Sequence, residues 1–155
     1  MDKFVIKNLI VVSLIVGLIL GLLGSIPYIG VFALFGIMLL AAPISMIYLI
    51  MDGKLEISSA KDSIIYGAIS GFSANLTFSI IFAIIISIIS TIFKYTHNLF
   101  LSAVIVNSPV WILLVCIIFV GTLTATTNAF SGFITYYVIE FIRDIYERKS
   151  KNGRI

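Results

Sequence analysis

Polar residues are sparse along this chain and come in bunches, separated by long apolar runs. The first run, Leu9 to Ile26, has 18 residues and no charge. As a helix rising about 1.5 Å per residue it reaches about 27 Å, close to the ~30 Å of a hydrocarbon core. Ser25-Ile26-Pro27-Tyr28-Ile29-Gly30 follows. Pro27 has no amide proton and Gly30 tolerates unusual backbone angles, so a tight reversal is predicted. A second span over 29–51 comes at once and stops at Asp52-Gly53, a common turn pair.

The segment from Asp52 to Asp62 reads as a short polar loop. Within it, Ser59 followed by Asp62 fits a capping box and predicts a helix start. The third span, 63–93, has 31 residues and would be about 46 Å long, so it must tilt, break or protrude. After Lys94 come Tyr95-Thr96-His97-Asn98 and then Leu99 to Val106. That piece is only about 12 Å as a helix, which predicts an interfacial or re-entrant segment on the outer side. Ser108 and Pro109 make a good N-cap and first-turn pair for a fourth span over 109–139. From Glu140 the composition changes to EFIRDIYERKSKNGRI, with Glu140–Arg143, Asp144–Arg148 and Glu147–Lys151 at helical charge-pair spacing. The fourth helix is therefore expected to continue beyond the membrane into a basic tail, 140–155.

Composition turns these runs into a class. Of 155 residues, 61% are hydrophobic and 11% charged, against about 25% charge in soluble domains. No charge falls between Lys7 and Asp52, between Asp62 and Lys94, or between Lys94 and Glu140. So little charge cannot coat a water-soluble exterior. The expectation is an all-α integral membrane protein. A single domain, 1–139, would hold four transmembrane helices in two antiparallel hairpins. The first run resembles a signal peptide in following Lys3 and Lys7, but no A-x-A-like site follows it and the reversal leads into another span.

Charge also predicts orientation. Four spans put Lys3, Lys7, Lys54, Lys61, Arg143, Arg148, Lys149, Lys151 and Arg154 on one side and Lys94 on the other. Basic flanks mark the cytoplasmic face, so both termini are expected in the cytoplasm of a cell (inner) membrane. Tyr48, Tyr66, Tyr136 and Tyr137 lie near the cytoplasmic charges, and Tyr28, Tyr95 and Trp111 near the outer ends, as interfacial aromatics do. The net charge of +3 is explained by these flanks and implies no nucleic-acid partner. The partners expected are the bilayer, anionic lipid at Arg148, Lys149, Lys151 and Arg154, and a second copy or another membrane protein.

Chemistry is scarce. None of the four proposed spans contains Asp, Glu, Lys, Arg or His. Proton relays, voltage sensors and many ion-coupled transporters need such groups, and small multidrug exporters centre on a membrane glutamate with no counterpart here. A serine nucleophile needs a nearby base; His97 is outside the spans. Cys116, the only cysteine, has no disulfide partner and reads as a packing residue. No cofactor, metal set or enzyme activity is expected.

Small residues, in contrast, recur on helix faces. Ser13, Gly17, Gly21 and Gly24 share one side of the first span; Gly67, Gly71 and Ala74 share one in the third; Gly121, Ala125, Asn128 and Gly132 one in the fourth. Such faces let helix backbones approach closely. Asn75 stands 13 residues from Asp62 and Asn128 stands 12 from Glu140. In antiparallel helices that predicts equal depth and a cross-helix Asn75–Asn128 hydrogen bond. The run VGTLTATTNAFSGF, 120–133, would then form half of a polar seam.

The strings GLILGLLGSIP, 17–27, and KDSIIYGAISG, 61–71, resemble small uncharacterised prokaryotic multi-pass membrane proteins built from glycine-rich helical hairpins, domains of unknown function. The likeness covers about residues 10–80 and implies a multi-pass protein without implying an activity. Gly121-Thr122-Leu123, Asn128 and Ser131-Gly132-Phe133 are similar to a run in four-span fluoride channels. There, however, the asparagine comes two residues earlier, serine and glycine are exchanged, and the first helix carries an arginine missing here. That family is set aside. Two functions remain: a non-enzymatic structural or interaction protein packing through small-residue faces, and a channel or uncoupled transporter subunit lined by the Thr/Asn face of the fourth helix. Thr122 and Thr126 lie on a different side from Thr124, Asn128 and Ser131, and threonine hydroxyls can bond one turn back. Both points favour packing.

Overall fold

A computed structural model describes residues 3–26, 28–93 and 107–152. Pro27, Lys94, His97, Leu99–Val106 and Arg154 lie outside them, so the proposed outer interfacial segment is not among the described residues. The described chain is all-helical, with α1 over Lys3–Gly24, α2 over Gly30–Met51, α3 over Ala60–Phe93 and α4 over Val110–Asn152. All four are long and apolar enough to cross a membrane.

Helix ends follow local chemistry. Ser59 caps α3: Asp62 N–H donates to its Oγ at 3.2 Å, and its hydroxyl donates back to Asp62 Oδ2 at 2.8 Å. The helix thus starts at Ala60 rather than Ser63, because the cap precedes the charged turn. At the end of α2, Gly53 takes φ +68°. Its N–H bonds Ile50 O at 3.1 Å and Lys54 N–H bonds Leu49 O at 2.9 Å, a Schellman closure that occupies the last carbonyls. An Asp52–Lys54 ion pair at 2.5 Å flanks it. The expected polar loop is less polar than its composition suggests. Leu55 and Ile57 are buried beneath the helix ends, while Lys54, Glu56 and Ser58 face outward.

Two other boundaries differ from expectation. In the reversal after α1, Tyr28 and not Gly30 takes the left-handed backbone, at φ 67°; Gly30 is the buried first residue of α2. At α4, Pro109 supplies the first carbonyl, accepting from Ile112 and Leu113 N–H. The helix therefore begins at Val110, one residue later than predicted.

Small residues govern packing. On α1 the buried positions Leu9, Ser13, Gly17, Gly21 and Gly24 repeat every three or four residues, forming the single stripe of a helix with one protein-facing side. Gly17 lies against the backbone of Ala74, and Gly21 and Gly24 lie against Phe78, so residue numbers rise together along α1 and α3. Along α3 and α4 they run oppositely, with Ser63 against Gly132, Gly67 against Asn128 and Gly71 against Thr124. α2 completes the bundle. Its Ser45 receives the Ser13 hydroxyl at 3.2 Å, and its Ala33, Ile37 and Ala41 pack with Ala74, Phe78 and Phe82.

Candidate functional site: a polar seam between α2, α3 and α4

The seam is built where glycine removes side-chain bulk. A Cβ on Gly67 would overlap the Asn128 carbonyl oxygen. One on Gly132 would come within 2.5 Å of Ser63 O, and one on Gly71 within 2.5 Å of Thr124 O and 2.6 Å of Asn128 Cβ. Backbones this close need glycine on at least one side. Ser63 Oγ donates to Gly132 O at 2.5 Å, adding a direct tie at the same crossing. Gly121 has more latitude: a methyl added there would sit 3.1 Å from the Phe72 ring and 3.3 Å from Asn75 Nδ2. Ala125 is half-buried and Ala74 fully buried.

Asn128 is the centre of this arrangement and is 0% exposed. Its Oδ1 accepts the Ala42 N–H at 2.7 Å. Its Nδ2 lies 2.9 Å from each of Ile37 O, Met38 O and Thr124 O, so two amide protons are shared among three carbonyls. Thr127 Oγ1 adds a donor to Met38 O at 2.7 Å. In a regular helix Ala42 N–H would donate to Met38 O; here the Asn128 carboxamide bridges those two groups. Pro43 is the next residue. Proline offers no N–H to the Leu39 carbonyl and its ring crowds that carbonyl. The turn 38–42 is thus one that proline weakens and that a side chain from α4 restitches, a known way to satisfy backbone in an apolar surround.

Asn75 does not meet Asn128. It is 1% exposed and donates to Ile117 O on α4 at 3.3 Å, beside Gly121. The equal-depth expectation fails because Asp62 and Glu140 are not level. Ser63 faces Gly132, and Glu140 stands eight residues further along α4, about 12 Å. The two asparagines are displaced by a similar amount.

The other threonine hydroxyls of the run bond locally. Thr122 reaches Ile118 O at 2.9 Å, Thr124 Val120 O at 2.8 Å and Thr126 Thr122 O at 2.9 Å. Thr124 is buried, whereas Thr122 and Thr126 point outward from the bundle. Among charged groups, Glu140 Oε1 accepts from Tyr136 at 2.6 Å. The Glu140–Arg143 and Asp144–Arg148 pairs do not form; Asp52–Lys54 is the ion pair present among the described residues. Neither Pro43 nor the backbone of α2 figures in the seam expected from sequence, whereas Thr127 falls within its run 120–133. A proline inside a charge-free span was the available signal.

Together these features define a class: among the described residues, a helical protein with four helices suited to crossing a membrane and a polar seam in their midst. No protein family, no curated protein and no solved structure matches the chain.

Proposed function

We propose that this is a non-enzymatic structural or interaction protein of the cell membrane, working through helix faces rather than through a reaction centre. The observation that carries the reading is Asn128. Its amide protons and its carbonyl oxygen all engage neighbouring backbone and the side chain is wholly buried, which leaves no polar face toward a permeating solute. A pore lining needs polar groups facing a common water-filled space. Here Thr122 and Thr126 face outward and bond to their own helix.

The proposed topology is two antiparallel hairpins with both termini cytoplasmic. The charge asymmetry of the flanks supports it. Exposed apolar side chains such as Leu18, Leu22, Phe35, Leu114 and Phe119 are left for lipid, a partner span or a second copy. The basic end serves orientation in this reading. α4 runs unbroken to Asn152, so Arg148, sixteen residues past Gly132, projects about 24 Å beyond it. Contact with anionic headgroups would require a bend on the way.

Flux from proteoliposomes tests the proposal. Purified protein should release ions and small neutral solutes no faster than protein-free vesicles. Saturable release that disappears in Asn128→Leu would replace the structural reading with the channel or uncoupled transporter.

A further inference from the structure

Beyond the seam, toward Val110, α4 is less closely covered. Between Gly121 and Val110 no residue of α4 is fully buried, and a cavity of about 140 Å³ opens between this half of α4, α3 and Leu34 of α2. An apolar cavity of about 150 Å³ is large enough to hold benzene. The walls are almost wholly apolar, with Phe78, Phe82, Leu113 and Ile117 prominent. The Phe78 and Phe82 rings are parallel within 7°, with centroids 5.8 Å apart.

Besides the Cys116 thiol of α4, a weak donor, two polar side chains interrupt this lining, and both come from α3. Asn75 donates one proton to Ile117 O at 3.3 Å, while its Oδ1 takes no hydrogen bond from the described residues. Among the described residues, the polar side-chain atoms sealed away without partners are Asn8 Nδ2, Ser70 Oγ and Ser90 Oγ. Asn75 Oδ1 is not among them, and Asn75 lines the cavity. Ser79, one turn further along the same face, also lines the cavity, and its hydroxyl bonds to none of the described residues. A water molecule placed here would have two polar partners, the low end of what buried waters make. An apolar ring with one hydroxyl suits both walls and polar groups. The ring fills the aromatic side, and the hydroxyl donates to Asn75 Oδ1 and accepts from Ser79.

We propose that this cavity is a binding site for a neutral phenol-type molecule dissolved in the membrane, recognised by Asn75 and Ser79. This goes beyond the structural role proposed above and does not depend on it.

The test uses the full-length protein in nanodiscs, with 4-fluorophenol and 4-fluorotoluene as probes read by fluorine NMR against empty nanodiscs. The unaltered protein should give a saturable bound signal for 4-fluorophenol, about fivefold tighter than for 4-fluorotoluene, the effect of the bond donated to Asn75 Oδ1, with the partly exposed Ser79 hydroxyl the weaker partner. Asn75→Leu should remove that preference, and Ala83→Phe, which fills the cavity, should remove binding of both probes. No saturable signal in the unaltered protein, or equal affinity for the two probes, overturns the proposal. This comparison needs no variant, so it stands even where Asn75→Leu fails to fold. An unchanged preference in a folded Asn75→Leu protein overturns it as well.

Discussion

The Ala42 amide of α2 donates to Asn128 Oδ1 of α4 at 2.7 Å, immediately before Pro43. A side chain on one helix thereby completes the backbone ladder of another. Neither group has water to fall back on in an apolar surround, where each unmet backbone group is costly.

Removing Asn128 should accordingly matter more than removing Asn75. Asn128→Leu strips partners from Ala42 N–H and three carbonyls, whereas Asn75→Leu loses one long bond. Interhelical polar contacts in membranes average about 0.6 kcal/mol, with about 1–3 kcal/mol for groups left unsatisfied. Asn128→Leu should cost about 2 kcal/mol and Asn75→Leu under about 1 kcal/mol in reversible unfolding from mixed micelles. The double variant should be additive within about 0.5 kcal/mol, because the two residues do not touch.

Pro43 and Asn128 should be coupled instead. Pro43→Ala restores a donor to α2 and relaxes its ladder, so the restitching by Asn128 becomes less necessary. Asn128→Leu should cost at least about 0.5 kcal/mol less in the Pro43→Ala background than in the unaltered chain. The same unfolding assay gives the four corners of the cycle.

The glycines should separate into two groups. Gly17→Ala and Gly67→Ala drive a methyl into the backbone of Ala74 and Asn128 respectively, and should cost about 1–3 kcal/mol. Gly36 meets only the Leu20 side chain, at 3.5 Å. Gly36→Ala should be neutral or stabilise by up to about 1 kcal/mol through helix propensity. Thermal unfolding in detergent ranks the three variants.

The turn chemistry offers a further check. Ser59→Ala removes the reciprocal bonds with Asp62 and should cost about 1 kcal/mol. Gly53→Ala places a Cβ at φ +68° with open space around it, so its penalty, about 1 kcal/mol, is purely conformational. Hydrogen exchange at the start of α3 should accelerate in Ser59→Ala and stay unchanged in Gly53→Ala.

Much of this fold was legible because its signals are local. Three charge-free runs, Lys7–Asp52, Asp62–Lys94 and Lys94–Glu140, the first divided by the reversal at 25–30, mark four helices, and Ser59–Asp62 and Asp52-Gly53 mark two of their ends. Glycine spacing marks the faces on which backbones approach. What stayed hidden is the identity of Asn128's partners. They are backbone groups of Ile37, Met38 and Ala42, and a main-chain carbonyl looks the same at every position in a sequence. The pairing with Asn75 rested on taking Asp62 and Glu140 as level. Helices do not end where their charges begin, and α4 runs on well past the start of α3. Burial of Leu55 and Ile57 was hidden similarly, since a loop of mixed composition does not declare which residues turn inward.

Solid-state NMR in lipid bilayers tests the central claim most directly, by measuring dipolar coupling between the side-chain nitrogen of Asn128 and the carbonyl carbons of Ile37 and Met38. Resolved coupling to both and slow deuterium exchange of the Asn128 amide are expected. Absent coupling together with rapid exchange into D2O would show an asparagine facing water, and would contradict that claim.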